Sequence, residues 1–450
     1  MSFPVAAFTV LMALLTLALP RRHALFPLLI TGCLMTAGQR LFVYGLDFPV
    51  FRIVMLCGWA RVIMRGDMTG FRLQTLDRMV LAWAMVTVTT GALLEGSAGF
   101  IHRLGVIYNA IGLYFLARVL IRDEPDLKQA VTWLALGGLM LVPFMTYEKI
   151  TGNNMFAYFG GVPFSSMIRD GILRCQGPFG HPILAGSFGA IIFPLMLGSI
   201  ARYPERRRIF VAAAVAAAYV TFLSASSGPF MTMLVACLAI ALWMLRDFMR
   251  PILWLLAGTI IVLEIMMSAH IWFLVGRISN VIGGTGWHRA ALIDTAFRYF
   301  PEWWIMGTTQ TSWWEDFGVF NLGDSADLTN QFIFEGVSGG ILRMLLFAGL
   351  FVYAFRGIAC ARRRALAAQD TGHEFFIWCA GCALLAQGVT YLSVMYFDQM
   401  VIYWNLILAL PACLAMGVGL RTVQHTGEEI SQCDNQLYLP GIESSEAYAS

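Results

Sequence analysis

The sequence predicts an all-α, polytopic integral membrane protein with about 12 to 13 transmembrane helices and two long outer-face loops. Three observations carry that expectation. The 450-residue chain is 58% hydrophobic and only 13% charged, far from the balance of a soluble domain. Apolar runs of roughly 18 to 22 residues recur along it, each long enough to cross a bilayer as a helix. Its basic residues, all arginine except Lys128 and Lys149, cluster in particular loops. The net charge of +3 is small and gives no argument for a nucleic-acid partner.

In chain order, Phe3 to Leu19 reads as an uncleaved first helix, because no basic segment precedes it and no small-residue cleavage site closes it. Ala24 to Ala37 is short for a crossing, and Gln39, Arg40 and Asp47 mark a polar turn. Val50 to Met64, Met79 to Leu94, Leu104 to Ile121 and Ala130 to Tyr147 are spans, with a turn at Glu95 to His102 and a polar loop at Asp123 to Lys128. The first long polar segment follows, 148–181. Pro182 to Ile200 is the next span; Ile209 to Leu223 and Pro229 to Leu245 form a hairpin about Ser224 to Gly228, and Ile252 to Trp272 spans again. The second long segment, 276–331, precedes spans at Phe332 to Phe355, Phe375 to Tyr396 and Met400 to Leu420, then a polar tail that reads as disordered. These divisions give an N-terminal bundle (1–147), a core with both loops (148–355), C-terminal helices (356–420) and a cytoplasmic tail (421–450).

Placing Arg206 to Arg208 in the cytoplasm fixes every other loop. Arg21, Arg65 to Arg78, Lys128, Arg246 to Arg250 and Arg356 to Arg364 then fall inside, and both long segments fall outside. A re-entrant second segment would reduce thirteen spans to twelve and move the N-terminus inside. Most of the nine cysteines sit in apolar spans, so they make no disulfide framework, and the Cys379–Cys382 pair lacks the second ligand pair of a zinc site. No Gly-x-x-x-x-Gly-Lys-Ser/Thr loop occurs, which excludes nucleotide hydrolysis by that route.

The chain is organised around Arg174 to Gly189, RCQGPFGHPILAGSFG. Gly177, Pro178, Gly180 and Pro182 cannot continue a helix, so this stretch is a shaped entry loop running into a span. Arg169, Arg174, His181, Arg277, His288, Arg289 and Arg298 all fall on the outer side, against the positive-inside bias. If the two loops meet, their arginines form a basic pocket suited to a phosphate or pyrophosphate facing outward. The alternatives are lipid headgroups, or pairing with Asp170, Asp294, Glu302, Glu315 or Asp316.

The Arg174 to Gly186 stretch, the SASSG turn at 224–228, Trp287 to Phe297 followed by Pro301 and Gly307, and Thr329 to Leu342 (TNQFIFEGVSGGIL) together resemble the O-antigen ligase and O-antigen polymerase superfamily over about residues 165 to 355. That resemblance implies a GT-C-like fold in the bacterial inner membrane with a site facing the periplasm. It implies a glycosyltransferase of O-antigen or exopolysaccharide biosynthesis that moves a glycan from undecaprenyl diphosphate to an acceptor hydroxyl. The acceptor is a second carrier-linked repeat in polymerases, lipid A core in ligases, or a protein hydroxyl in pilin glycan transferases. Other polysaccharide-assembly proteins are implied partners. Arginine forks can replace a metal at the leaving pyrophosphate, so no metal or other cofactor is expected. Arg174 and Arg289 are the expected phosphate clamp, with Arg169 and Arg277 behind them. The histidine that precedes asparagine in ligases is Thr329 here, so the base falls to Asp327 or His288. Asn330 either orients the acceptor or caps its helix, and His181 positions or caps.

The rival from another class is a transporter or flippase for a lipid-linked or anionic solute, with Arg52, Arg61 and Arg118 lining a path. A non-catalytic scaffold is the third reading. No internal repeat of the transporter kind is present.

Overall fold

The computed structural model describes residues 2–43, 46–274, 276, 277 and 286–419. Six helices are long and apolar enough to cross a membrane: Thr75–Leu120, Glu124–Thr151, Pro182–Arg202, Ser227–Met266, Gly340–Ala367 and Thr371–Tyr391. Phe3–Ala18 and Met400–Ala415 are shorter apolar helices. The chain is an all-α, multi-pass membrane protein. The expected tail, 421–450, lies outside the described residues.

Polar contacts define two ends of the bundle. At one, basic residues are matched by acids. Arg21 meets Asp123 and Asp126, Arg202 meets Glu124 (2.7 Å) and Asp370 (2.9 Å), and Arg362 meets Asp247 (3.0 Å) and Glu374 (2.9 Å). The other end gathers both long polar segments and is called the site end below.

Two of the long helices each make two passes. Gly96, at φ +62°, reverses Thr75–Leu120, so Asp77 on one arm bonds Tyr114 and Arg118 on the other. Ser227–Met266 turns within a 3-10 stretch, Leu242–Phe248. Ser226 bonds Arg174 at the site end, Asp247 pairs with Arg362 at the arginine-rich end, and Trp272 stacks on Phe297 back at the site end. The short second segment is helical over Phe26–Leu34 and joins both ends, with His23 on Trp133 and Thr36 on the Gly160 carbonyl. Ser2 lies at the site end beside Gln39, and Gly419 lies at the opposite end under Arg202.

Two expectations need correction. Asp123 to Lys128 is not a loop but the start of the Glu124–Thr151 helix: Asp123 caps it by accepting from the Asp126 N–H (2.9 Å), and acidic side chains fill the first turn. The span expected at Phe332 to Phe355 is two helices, Gln331–Val337 and Gly340–Ala367. They part at Gly340, whose φ of +82° suits glycine, and a Cβ there would lie 2.2 Å from the Ile305 carbonyl oxygen. The gap admits the Pro301 to Gly307 turn, joined by Thr308 N–H to Val337 O (2.7 Å) and Ile341 N–H to Trp304 O (2.8 Å).

Pro182–Arg202 is the central helix, mostly buried and packed against Arg207–Leu223, Ser227–Ala241 and Thr371–Tyr391. Gly189 lets it approach the Ala217 carbonyl so closely that a Cβ would fall 2.3 Å from that oxygen. The second polar segment has a core of its own, formed by Leu292, Ala296, Trp303, Trp314, Val319 and Ile333. It is therefore a folded module seated on the bundle, with the helix Gly286–Arg298 as its main element.

The three arginines of the transporter reading have partners inside the protein. Arg118 forms a two-pronged pair with Asp77 (3.0 Å each), Arg61 pairs with Asp67, and Arg52 bonds Asn109 (2.7 Å) and the Gly105 carbonyl (3.1 Å). Asp77 and Arg118 are both buried, and Asp77 also receives the Tyr114 hydroxyl (2.7 Å). Asp77→Ala should therefore cost about 3–5 kcal/mol by stranding the buried Arg118 charge. The readout is a lowered thermal midpoint of the purified protein in detergent; an unchanged midpoint would contradict that reading of the pair.

Candidate functional site

The entry loop is clamped from several sides. The Glu148 carboxylate accepts from the Gln176 N–H (3.0 Å), the Gly177 N–H (2.8 Å) and the Ser166 hydroxyl (2.9 Å). Asn154 donates to the Gly177 carbonyl (2.7 Å) and Gln399 to that of Pro178 (2.8 Å). Asp398 covers Gly180, where a Cβ would lie 2.0 Å from the Asp398 Oδ2. Burial pushes the Asp398 carboxyl up, against the opposing charge of Arg40 and the Gly180 N–H. Sequence reasoning singled out the loop but missed Glu148 and Asp398. An acid closing an apolar span was the available signal for Glu148; nothing local marked Asp398.

This clamping fixes Arg174 at the end of a two-stranded hairpin, Met167–Arg169 with Ile172–Arg174. Arg174 is buried; it donates to the Ser226 hydroxyl (2.6 Å), and its Nε has no hydrogen-bond partner. Burial, and then the like charge of Arg169, lower its pKa. Arg289, from the other loop, stands beside Gly228, two residues from Ser226. Its Nε is also buried and unpartnered; burial and Arg169 again lower its pKa, while Asp327 opposes them. Arg169 itself is half exposed and only 3.6 Å from its neighbour Asp170. The structure thus brings Arg169, Arg174 and Arg289 together, and neither Arg174 nor Arg289 has a carboxylate in salt-bridge range among the described residues.

Asp327 and His288 are adjacent. His288 is buried, its Nδ1 accepts the Phe320 N–H (3.0 Å), and its Nε2 lies 3.9 Å from the Asp327 Oδ2. Because Nδ1 accepts, the neutral ring carries its proton on Nε2, facing Asp327. Burial lowers the His288 pKa while Asp327 raises it, and the net shift is downward, so the ring is neutral at pH 7. Asp327 is 40% exposed in its side chain and open to a ligand. The two candidates for the base are thus neighbours without a hydrogen bond between them, and the His288 Nε2 has no hydrogen-bond partner.

The remaining expected residues divide. Asn330 is a helix cap: its Oδ1 accepts from the Phe332 (3.0 Å) and Ile333 (3.2 Å) N–H groups, and its amide donates to the Leu392 carbonyl (3.3 Å). His181 caps the Pro182–Arg202 helix, its Nδ1 accepting from the Ile183 N–H (3.1 Å). Arg277 is exposed and takes no part in the cluster among the described residues.

His181 gives a pH dependence with a definite sign. Burial, helped by Arg174, lowers its pKa from 6.5 to about 4. The neutral cap therefore stabilises fully above pH 6.5, and that contribution is lost as pH falls from 6.5 toward 4. The thermal midpoint should decline over that window, and His181→Asn, a cap without a proton to gain, should flatten the decline. An equal slope in the variant would remove His181 from the explanation.

In sequence comparison, no family model and no curated protein matches this chain.

Proposed function

We propose that the protein is a membrane glycosyltransferase that moves a glycan from a polyprenyl diphosphate, expected to be undecaprenyl diphosphate, to an acceptor hydroxyl. The observation that carries this reading is that Arg174 and Arg289, from different loops, flank the Ser226 to Gly228 turn and both feel the charge of Arg169. Both guanidinium groups are partly desolvated at the site end, neither has a salt-bridged carboxylate among the described residues, and the accessible Asp327 acts on Arg289 only at longer range. A buried donor left unmet costs about 1–3 kcal/mol, more when charged, and a diphosphate meets both groups with the bidentate geometry that guanidinium favours. At the other end of the bundle the same residue type is neutralised by protein acids.

The chemistry follows from the placement. The acceptor oxygen attacks the anomeric carbon, the carbon–oxygen bond to the diphosphate breaks, and the electron pair leaves on the phosphate oxygen between Arg174 and Arg289. Asp327 takes the acceptor's proton, with the His288 ring 3.9 Å away as its polar neighbour. Arginine supplies the charge that a metal would otherwise bring. The resemblance over residues 165 to 355, and the orientation read from the arginine loops, support a periplasm-facing site in a bacterial inner membrane and a role in polymerising O-antigen or exopolysaccharide repeats. The transporter reading loses its motivating residues, since Arg52, Arg61 and Arg118 are paired within the fold.

The test is transfer by purified protein from an undecaprenyl-diphosphate oligosaccharide, without nucleotide and with chelator present. Arg174→Ala and Arg289→Ala should each lower the rate by about 10²–10³-fold. Asp327→Asn should lower it by at least about 10²-fold, and His288→Gln by less. Arg277→Ala should behave as wild type. Carrier flipping in liposomes without any glycan transfer would overturn the assignment.

A further inference from the structure

The Phe320 ring is 56% exposed although it is held as firmly as a core residue. One face lies flat on His288, with ring centroids 4.6 Å apart and planes 15° from parallel. Its backbone N–H donates to His288 Nδ1 (3.0 Å), and its carbonyl accepts the Asp327 N–H (2.7 Å). The segment beneath it is anchored by buried Trp314 and Val319 about a turn at Gly318, φ +83°. More than half of the ring stays open to solvent, and His288, on which it stacks, lies 3.9 Å from the Asp327 carboxylate.

The surroundings identify what that face suits. Aromatic rings that anchor proteins in a membrane sit at headgroup level, an apolar-edged setting that costs buried carboxylates their hydration. Here Glu315, Asp316 and Asp324 are all exposed in the same short stretch, alongside exposed Phe317 and Leu322, and three carboxylates favour a water-facing surface over a lipid-facing one. Those carboxylates repel phosphates and other anions, yet accept hydrogen bonds from hydroxyl groups. An aromatic face is negative at its centre and attracts the weakly positive C–H bonds on the flat side of a pyranose. Ring and acids together match a neutral, hydroxyl-rich, flat-faced ligand.

We propose that Phe320, stacked on His288, is the platform of the acceptor-sugar subsite, seating a pyranose ring with its hydroxyl at Asp327. This rests on the glycosyl-transfer reading and adds to it. The donor's diphosphate is held by the arginines, and the acceptor's sugar by a separate aromatic surface on the 312–327 segment. The acceptor is thereby a carbohydrate rather than a protein hydroxyl.

Saturation-transfer NMR on the full chain in detergent tests this with two probes, inorganic pyrophosphate and a panel of neutral gluco-, galacto- and N-acetylglucosamine oligosaccharides. Wild type should bind pyrophosphate and at least one oligosaccharide. Phe320→Trp should retain oligosaccharide binding. Phe320→Leu should weaken it by about tenfold, the scale of one good ring contact, while pyrophosphate binding stays unchanged and reports an intact fold. Equal oligosaccharide affinity in Phe320→Leu and wild type, or no oligosaccharide binding by wild type with pyrophosphate still bound, would overturn the platform and leave the donor site standing. Binding of neither probe by wild type would overturn both.

Discussion

Cations that the protein itself does not neutralise are the constraint on which the site end depends. Arg174 and Arg289 lie in partly desolvated positions where each guanidinium loses hydration and gains no salt-bridged carboxylate among the described residues, and Arg169 adds like charge to both, offset at Arg289 only by the more distant Asp327. Such an arrangement opposes folding unless an anion completes it. The arginine-rich end shows the contrast within one molecule: Arg21, Arg202 and Arg362 each sit against two acids.

Holding those cations in place requires rigidity around them. Glu148 fixes the loop that carries Arg174 by accepting two of its backbone N–H groups. Arg289 and His288 ride on a helix whose buried face belongs to a separate small core around Trp303 and Trp314. That core is tied to the bundle where Gly307 packs against the Val337 to Gly339 backbone and Gly340 opens a gap in the helix. The site is thus assembled between two independently braced pieces, and their meeting at Ser226 and Gly228 sets the spacing of the cations.

Much of this was legible in the sequence because apolar runs and arginine loops report directly on passes and ends. The reversal near Glu95 and the entry helix at Pro182 fall where hydropathy and proline or glycine place them, whereas the helix Gly286–Arg298 lies in a stretch singled out only by the family resemblance. The convergence of residues 169 to 174 with 289 was a conjecture from charge alone, and only tertiary contact tests it. Local pattern misled at Asp123 to Lys128, where polar side chains serve as helix caps and first-turn acids. It also ran through the break at Gly340, because Val337 and Ile341 on either side keep the stretch apolar. Asp398 and Phe320 act through contacts far along the chain, over Gly180 and on His288 respectively, and so left no local signature.

The most direct measurement is a double-mutant cycle on inorganic pyrophosphate affinity, by calorimetry, with Arg174→Ala, Arg289→Ala and both together. If the two arginines grip one anion, each single change weakens binding sharply and the double change adds little more, a coupling of about 0.5–3 kcal/mol. Independent, additive effects, or a single variant that binds as wild type, would contradict a shared diphosphate site.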